Sequence, residues 1–224
     1  MRVAIHQPNY APWCGYFTKL RMADVFVLLD DAQMPGGQSY VSRTRIWNAG
    51  QVRWLSVPTT YKLGEQIHDV HCAGGEWTTK HFTTLRCAYS KSRYGKEILA
   101  LLAPLYAEPS TSLAEFNIRL IQTICSYLGL ETRMVRSSEL SVSGLSDDRL
   151  IAITKTLGGT TYLSGKGGAN YQDPRKFAEA SIALDVREYH PLPYEHISGI
   201  QQPGLSILDA LFHMGRNAVS HLNY

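Results

Sequence analysis

Four stretches of this 224-residue chain carry side chains able to do chemistry. The first is His6-Gln7-Pro8-Asn9-Tyr10, a polar loop after a short apolar run. An imidazole there can shuttle a proton or contact a phosphate, with Gln7 and Asn9 orienting it. The competing reading is that His6 and Asn9 satisfy loop backbone groups. The second is Asp30-Asp31 with Gln33, again directly after an apolar run. Paired carboxylates at a strand end can hold Mg²⁺ or a ribose hydroxyl, or act as a base; an Asx turn in a solvated loop is the alternative. The third is Arg43 and Arg45, two apart and so on the same side of an extended segment. They can grip a phosphate or carboxylate, or pair with Asp30 or Asp31. The fourth is Ser164-Gly165-Lys166-Gly167-Gly168-Ala169-Asn170-Tyr171. Its glycines let backbone amides approach an anion and Lys166 supplies charge, but it lacks the GK[ST] ending of a Walker loop.

A dedicated zinc site is not expected. His68-x-x-His71-Cys72 is suggestive, yet on a strand positions 68 and 71 face opposite sides, and no second ligand pair stands at zinc spacing. No Ser-His-Asp order or nucleophile elbow is readable, which leaves Cys14 as the remaining candidate nucleophile. His190-Pro191 and Asp209 either line a site or fix turns and caps.

The elements that must position these residues alternate. Residues 2–5 predict a buried strand, 16–23 a helix and 23–29 a second strand, the opening of a parallel βαβ unit. The His6 loop then sits beyond a strand's carboxyl end, where such sheets bind ligands. Residues 52–57 and 66–71 predict further strands. Residues 76–128 have helical spacing throughout, with Pro109-Ser110 as a break and Ser112/Glu115 as a candidate capping box. Strand 132–136, helix 146–157, strand 160–164, helix 173–181, strand 184–189 and a final helix over 205–214 complete the alternation. The expectation is a single α/β domain over 1–224: a Rossmann-like, mostly parallel sheet, with 76–128 a helical subregion or insertion.

Bulk composition bounds the partners. Hydrophobic content of 44% and charged content of 18% describe a globular chain, and a net charge of +3 is too mild for a nucleic-acid stripe. No apolar run reaches the roughly 18 residues of a membrane span. Residues 1–20 lack the unbroken apolar core of an export signal, and the four widely spaced cysteines include no CxxC, so reduced thiols and a cytoplasmic location are expected.

Taken in order, His6-Gln-Pro-Asn-Tyr10, Pro12-Trp13-x-Gly15-Tyr16-Phe17, Ala23-Asp24-x-Phe26-Val27 and Asp30-Asp31-x-Gln33 resemble the N-terminal signature of the WbqC-like family. Arg43-x-Arg45-Ile46, Trp54-Leu55-x-Val57-Pro58, Tyr162-Leu163-Ser164-Gly165, Tyr171, Tyr189-His190-Pro191 and the run from Leu205 to Phe212 continue it over nearly the whole chain. Cys14 stands where an aliphatic residue is usual, and Met34-Pro-Gly-Gly replaces a more apolar stretch. The resemblance implies a bacterial small-molecule biosynthetic role in polysaccharide or specialised-metabolite pathways. It also adds Tyr10, Tyr16, His81, Ser164 and Tyr171 to the candidate site. The opening is similar, too, to the nucleotidylyltransferase superfamily, whose second histidine beside the helix glycine is replaced here by Tyr16.

The resulting expectation is a group-transfer enzyme passing an acyl, aminoacyl or nucleotidyl group to an amine or amino sugar. His6, Asp30 and Asp31 are its candidate catalytic groups. Gln7, Asn9, Tyr10, Tyr16, Gln33, Arg43, Arg45, His81, Ser164, Lys166 and Tyr171 are its candidate substrate contacts. A nucleotide with Mg²⁺ is the candidate cofactor, and a carrier protein or another pathway enzyme the candidate partner. The rival readings are a non-catalytic binding or carrier-partner protein and a Cys14-dependent hydrolase or condensing enzyme.

Overall fold

A computed structural model of the chain describes residues 1–37, 39–196, 199 and 202–223. Strand β1 (Arg2–His6) buries Val3, Ala4 and Ile5, and the loop after it leads into helix α1 (Cys14–Met22). Ala23 leaves the helix in extended geometry and β2 (Val25–Leu28) follows, buried along its whole length. Next come a hairpin, β3 (Arg43–Asn48) and β4 (Gln51–Ser56), and a two-residue ribbon, β5 (Thr59–Thr60) with β6 (His71–Cys72). Ala49 and Gly50 close the hairpin with φ of 51° and 80°, the paired positive values of a twist-matched two-residue turn.

The 66–71 stretch is therefore not a strand. Its backbone makes a 3₁₀ turn over Ile67–Asp69, because Ile67 N–H and His68 N–H are drawn to the carbonyls of Ala32 and Asp30.

The helical middle comprises α2 (Trp77–Tyr89), α3 (Gly95–Ala107) and α4 (Leu113–Leu128), the last ended by left-handed Gly129. Half of the capping box forms. The Ser112 hydroxyl accepts from Glu115 N–H at 3.4 Å, but the Glu115 carboxylate turns away to Arg136. The chain then runs β7 (Arg133–Arg136), α5 (Ser146–Thr156), β8 (Thr161–Gly165), a short α6 (Lys166–Ala169), α7 (Pro174–Glu179), β9 (Ala183–Arg187) and α8 (Ile207–Met214).

Five of these strands form one sheet in the order β7-β2-β1-β8-β9, every pair parallel. Successive residues of β1 face opposite ways. Ala4 joins Phe26 and Leu28 in a large core with Phe17, Leu20 and the apolar faces of α2, α3, α4 and α8. Val3 and Ile5 join Val25, Val27 and Tyr162 in a smaller core under Ile151, Ile153 and Phe177. A parallel sheet covered on both faces is the Rossmann-like arrangement. Its strand order reverses between β1 and β8, so the loops leaving these two strands diverge and open a crevice at their carboxyl ends.

Candidate functional site

That crevice holds a cavity of about 610 Å³. The end of β1 supplies Ile5, His6 and Gln7; the first turns of α1 supply Gly15, Tyr16 and Lys19; β8 and its glycine turn supply Ser164 to Gly168, with Tyr171 and Gln172. Arg187, Glu188 and Tyr189 close the β9 side.

Residues 7–13 reach the cavity because many distant groups hold their backbone. Asn117 Nδ2 donates to the carbonyls of Pro8 and Val41, both at 2.8 Å, and Tyr10 N–H donates to Tyr40 O. Ala11, at the unusual φ of 41°, offers its carbonyl to the hydroxyls of Thr44 and Ser206 at 2.8 and 2.7 Å. Ile207 N–H then donates to Pro12 O. A loop of this composition needs such ties, since its carbonyls would otherwise be buried unpaired.

His6 stands edge-on to Tyr16 and Trp13, with ring centroids 4.9 and 5.8 Å away. Burial, and secondarily the charge of Lys19, push its imidazole down to about 3, so the ring is neutral at physiological pH. Its Nδ1 lies 3.2 Å from Gln7 O, an arrangement that suits the tautomer protonated at that nitrogen.

Lys19 is buried, at 6% exposure, and its ammonium donates to Ile5 O at 2.8 Å. Burial draws it down to about 7. Among the described residues no carboxylate pairs with it, so an amine only partly charged near neutral pH is held in the cavity wall by one carbonyl and the face of Tyr162, 5.8 Å away. Helix α1 adds to this field. Its N-cap, Trp13, makes no side-chain capping bond and its first turn holds no acidic residue, so the positive end of the helix opens beside Gly15 and Tyr16.

Two glycines are required for shape. A Cβ on Gly15 would come within 2.7 Å of Trp13 Nε1 and 2.8 Å of the Tyr189 ring. One on Gly168 would meet Ser164 Oγ at 2.3 Å and Gln172 at 2.9 Å. The Ser164 hydroxyl itself donates to Gln172 Oε1 at 2.7 Å, bracing the glycine turn. At the rim Lys166 pairs with Glu188 at 2.6 Å and Tyr171 is exposed.

The cavity thus gathers His6, Gln7, Tyr16, Ser164, Lys166 and Tyr171 from the sequence candidates. It does not gather the others. Asp30 is buried and accepts from Ser138 N–H, the Ser138 hydroxyl and the Ser137 hydroxyl, while Asp31 is taken by Ser137 and Arg149. Gln33 is exposed and bridges to Gln66. Arg43 stacks on Trp54, with its guanidinium carbon 3.7 Å from the ring, and Arg45 approaches the same ring at 5.9 Å. Asn9 is buried within the loop. Tyr10 belongs to a separate buried trio, its hydroxyl 2.9 Å from His81 Nδ1 and 2.7 Å from the Tyr106 hydroxyl. His68 pairs with Asp69 and His71 is exposed on β6.

Sequence reasoning passed over Lys19, Tyr162, Gln172, Arg187 and Tyr189. Lys19 had one faint signal: it lies between Phe17 and Leu20, and its helix places it three residues after Tyr16 on the face turned to the loop. Cys14 lines a smaller cavity of about 220 Å³ that shares Trp13 and Tyr189 with the larger one. Burial pushes its thiol up to about 12. No helix among the described residues is long and apolar enough to cross a membrane.

An uncharacterised protein of Mycobacterium tuberculosis is 34% identical over 227 residues, an alignment that takes in 100% of this chain and 98% of the relative. No solved structure matches the chain. The family model of the WbqC-like proteins aligns with residues 7–221, nearly all of the α/β core and the whole crevice from Gln7 onward, and the chain belongs to that family.

Proposed function

We propose that the crevice binds a phosphate-bearing activated small molecule and that the protein is a biosynthetic transferase, passing an acyl, aminoacyl or nucleotidyl group to an amine or amino sugar. The observation that carries this reading is Lys19, a buried cation whose charge burial disfavours, set in the wall of a cavity that the open end of α1 also faces. An anion placed there restores the charge of Lys19 and lies in the positive field at the start of α1. At the rim Lys166 and Arg187 are paired with Glu188 and Asp185, so the weight of this reading rests on Lys19 and the helix end.

His6 supplies the complementary half. The neutral imidazole, its Nδ1 engaged by Gln7 O, presents Nε2 as a hydrogen-bond acceptor to the neutral amine of an acceptor substrate, and Trp13 and Tyr16 hold its ring in one orientation. Cys14 is a poor nucleophile with its thiol pushed up to about 12, which leaves the hydrolase or condensing reading without support.

The test is a thermal-shift screen over nucleotides, nucleotide sugars, acyl phosphates and acyl-carrier thioesters, followed by turnover of each hit with amine acceptors. A phosphate-bearing ligand should raise the melting temperature of the wild type by mass action and lose that effect in Lys19→Met. No stabilisation by any of these ligands would defeat the anion-site reading. Binding without turnover would favour the non-catalytic carrier-partner role.

A further inference from the structure

The cluster formed by His196, Asp209 and His213 has no part in the crevice chemistry. Each offers one ligand atom, and the three atoms lie within 4.8 Å of one another. Asp209 and His213 are i,i+4 on α8 and so share one helix face, while His196 is delivered by the segment between β9 and α8. The side chains of His196 and Asp209 are completely removed from solvent, and that of His213 is 6% exposed. We propose that these three side chains form a binding site for a divalent first-row transition-metal ion.

The donor set fits that class. Two imidazoles and one carboxylate suit Zn²⁺, Co²⁺ or Fe²⁺, whereas Mg²⁺ and Ca²⁺ take oxygen shells. The two imidazole rings lie 4.6 Å apart, both directed at one carboxylate: His196 Nε2 is 3.2 Å from Asp209 Oδ2 and His213 Nδ1 is 3.6 Å from Oδ1.

The surrounding groups do what outer-shell partners do around bound metals. The Tyr89 hydroxyl donates to Asp209 Oδ2 at 2.8 Å and the Tyr194 hydroxyl to Oδ1 at 2.6 Å, fixing the carboxylate plane. His213 Nδ1–H donates to the carbonyl of Asp209 at 2.7 Å, which fixes the tautomer and orientation of the ring, so His213 would ligate through Nε2. A surface cavity of about 230 Å³, lined by Tyr194 and His213 among others, reaches one of the three side chains from solvent. None of the three residues lines the crevice cavity, so the site is independent of the anion-binding reading.

The experiment uses the full-length chain, stripped with chelator and titrated with Co²⁺ and then Zn²⁺. Stoichiometric uptake is expected, with a visible Co²⁺ absorption that Zn²⁺ displaces and a higher melting temperature for the loaded form. His196→Gln and His213→Gln should each abolish stoichiometric binding, whereas Lys19→Met should bind metal as the wild type does. Should the histidine variants fail to fold, X-ray absorption of the Zn²⁺-loaded wild type decides. Two imidazoles with a carboxylate oxygen support the site; a sulfur-containing or all-oxygen shell overturns it. Substoichiometric uptake by the wild type, or undiminished binding in both folded variants, overturns it as well.

Discussion

The ammonium of Lys19 donates to the carbonyl of Ile5 at 2.8 Å, tying the second turn of α1 to the end of β1 from inside the crevice. This single bond positions the charge of the proposed anion site and sets its cost. A buried lysine drawn down to about 7 is held against its preference for water.

Lys19→Met should therefore stabilise the protein while it weakens phosphate binding at least tenfold. The pH dependence carries a sign. Between about pH 7 and the ordinary lysine value near 10.4 the unfolded chain holds the proton that the folded chain has lost, so wild-type stability rises with pH across that window. Each pH unit there is worth about 1.4 kcal/mol. Chemical denaturation of both proteins from pH 6 to 10 should show the slope in the wild type and its absence in the variant. Phosphate binding at pH 8 should take up protons, seen as buffer-dependent heats in calorimetry.

His6 makes the opposite end of the pH range sensitive. With its folded value near 3, the unfolded chain binds a proton between about pH 6.5 and 3 that the native state refuses, so stability falls as pH drops through that interval. His81, pushed down to about 4 by burial, contributes in the same direction. His6→Gln should shift the acid-unfolding midpoint to lower pH, with the remaining acid sensitivity shared by His81 and by Glu115, whose carboxyl the Arg136 hydrogen bond holds below its ordinary value. An unchanged midpoint would mean that the His6 ring is solvated in the native state.

Adjacent glycines in the β8 turn should respond with opposite signs. Gly168→Ala forces a methyl against Ser164 Oγ and Gln172 and should cost about 1–3 kcal/mol while deforming the cavity wall. At Gly167 nothing lies within 4 Å of the added Cβ. Its backbone is helical, so Gly167→Ala should be neutral or stabilising by up to about 1 kcal/mol. Urea melts of the two variants make the comparison.

Asp30 is a structural test of the site's boundary. Removing the buried carboxylate takes an acceptor from the Ser138 amide and from the Ser137 and Ser138 hydroxyls and leaves a void, so Asp30→Ala should cost about 1–3 kcal/mol. Ligand affinity at the crevice should stay within twofold of wild type when measured well below the melting temperature. A large selective loss of turnover would put Asp30 in the chemistry after all.

What the sequence disclosed follows from which interactions are local. The strand–loop–helix–strand order of residues 2–28 was legible because Val3 to Ile5 and Val25 to Leu28 are short apolar runs on either side of a helix period. His6 and Ser164 could be placed together because both follow strands that must end on the same side of a parallel sheet. Lys19 was not legible: between Phe17 and Leu20 it reads as a solvated helix lysine, and only the packing of α1 over β1 buries it. Asp30 and Asp31 looked like a site because nothing nearby in the chain claims their oxygens; the claimants, Ser137, Ser138 and Arg149, arrive only when β7 pairs with β2. His196 lies in a proline-rich stretch without periodicity, so its meeting with Asp209 left no pattern to find.

The Ser206 hydroxyl that caps Ala11 O reaches across 195 residues of sequence. During synthesis the histidine loop therefore lacks one of its restraints until the start of α8, far downstream of it, has been made. The loop's full set of restraints is thus complete only once α8 has docked. Closing so long a loop carries an entropic cost, and in refolding the recovery of ligand binding should lag behind the recovery of helix signal.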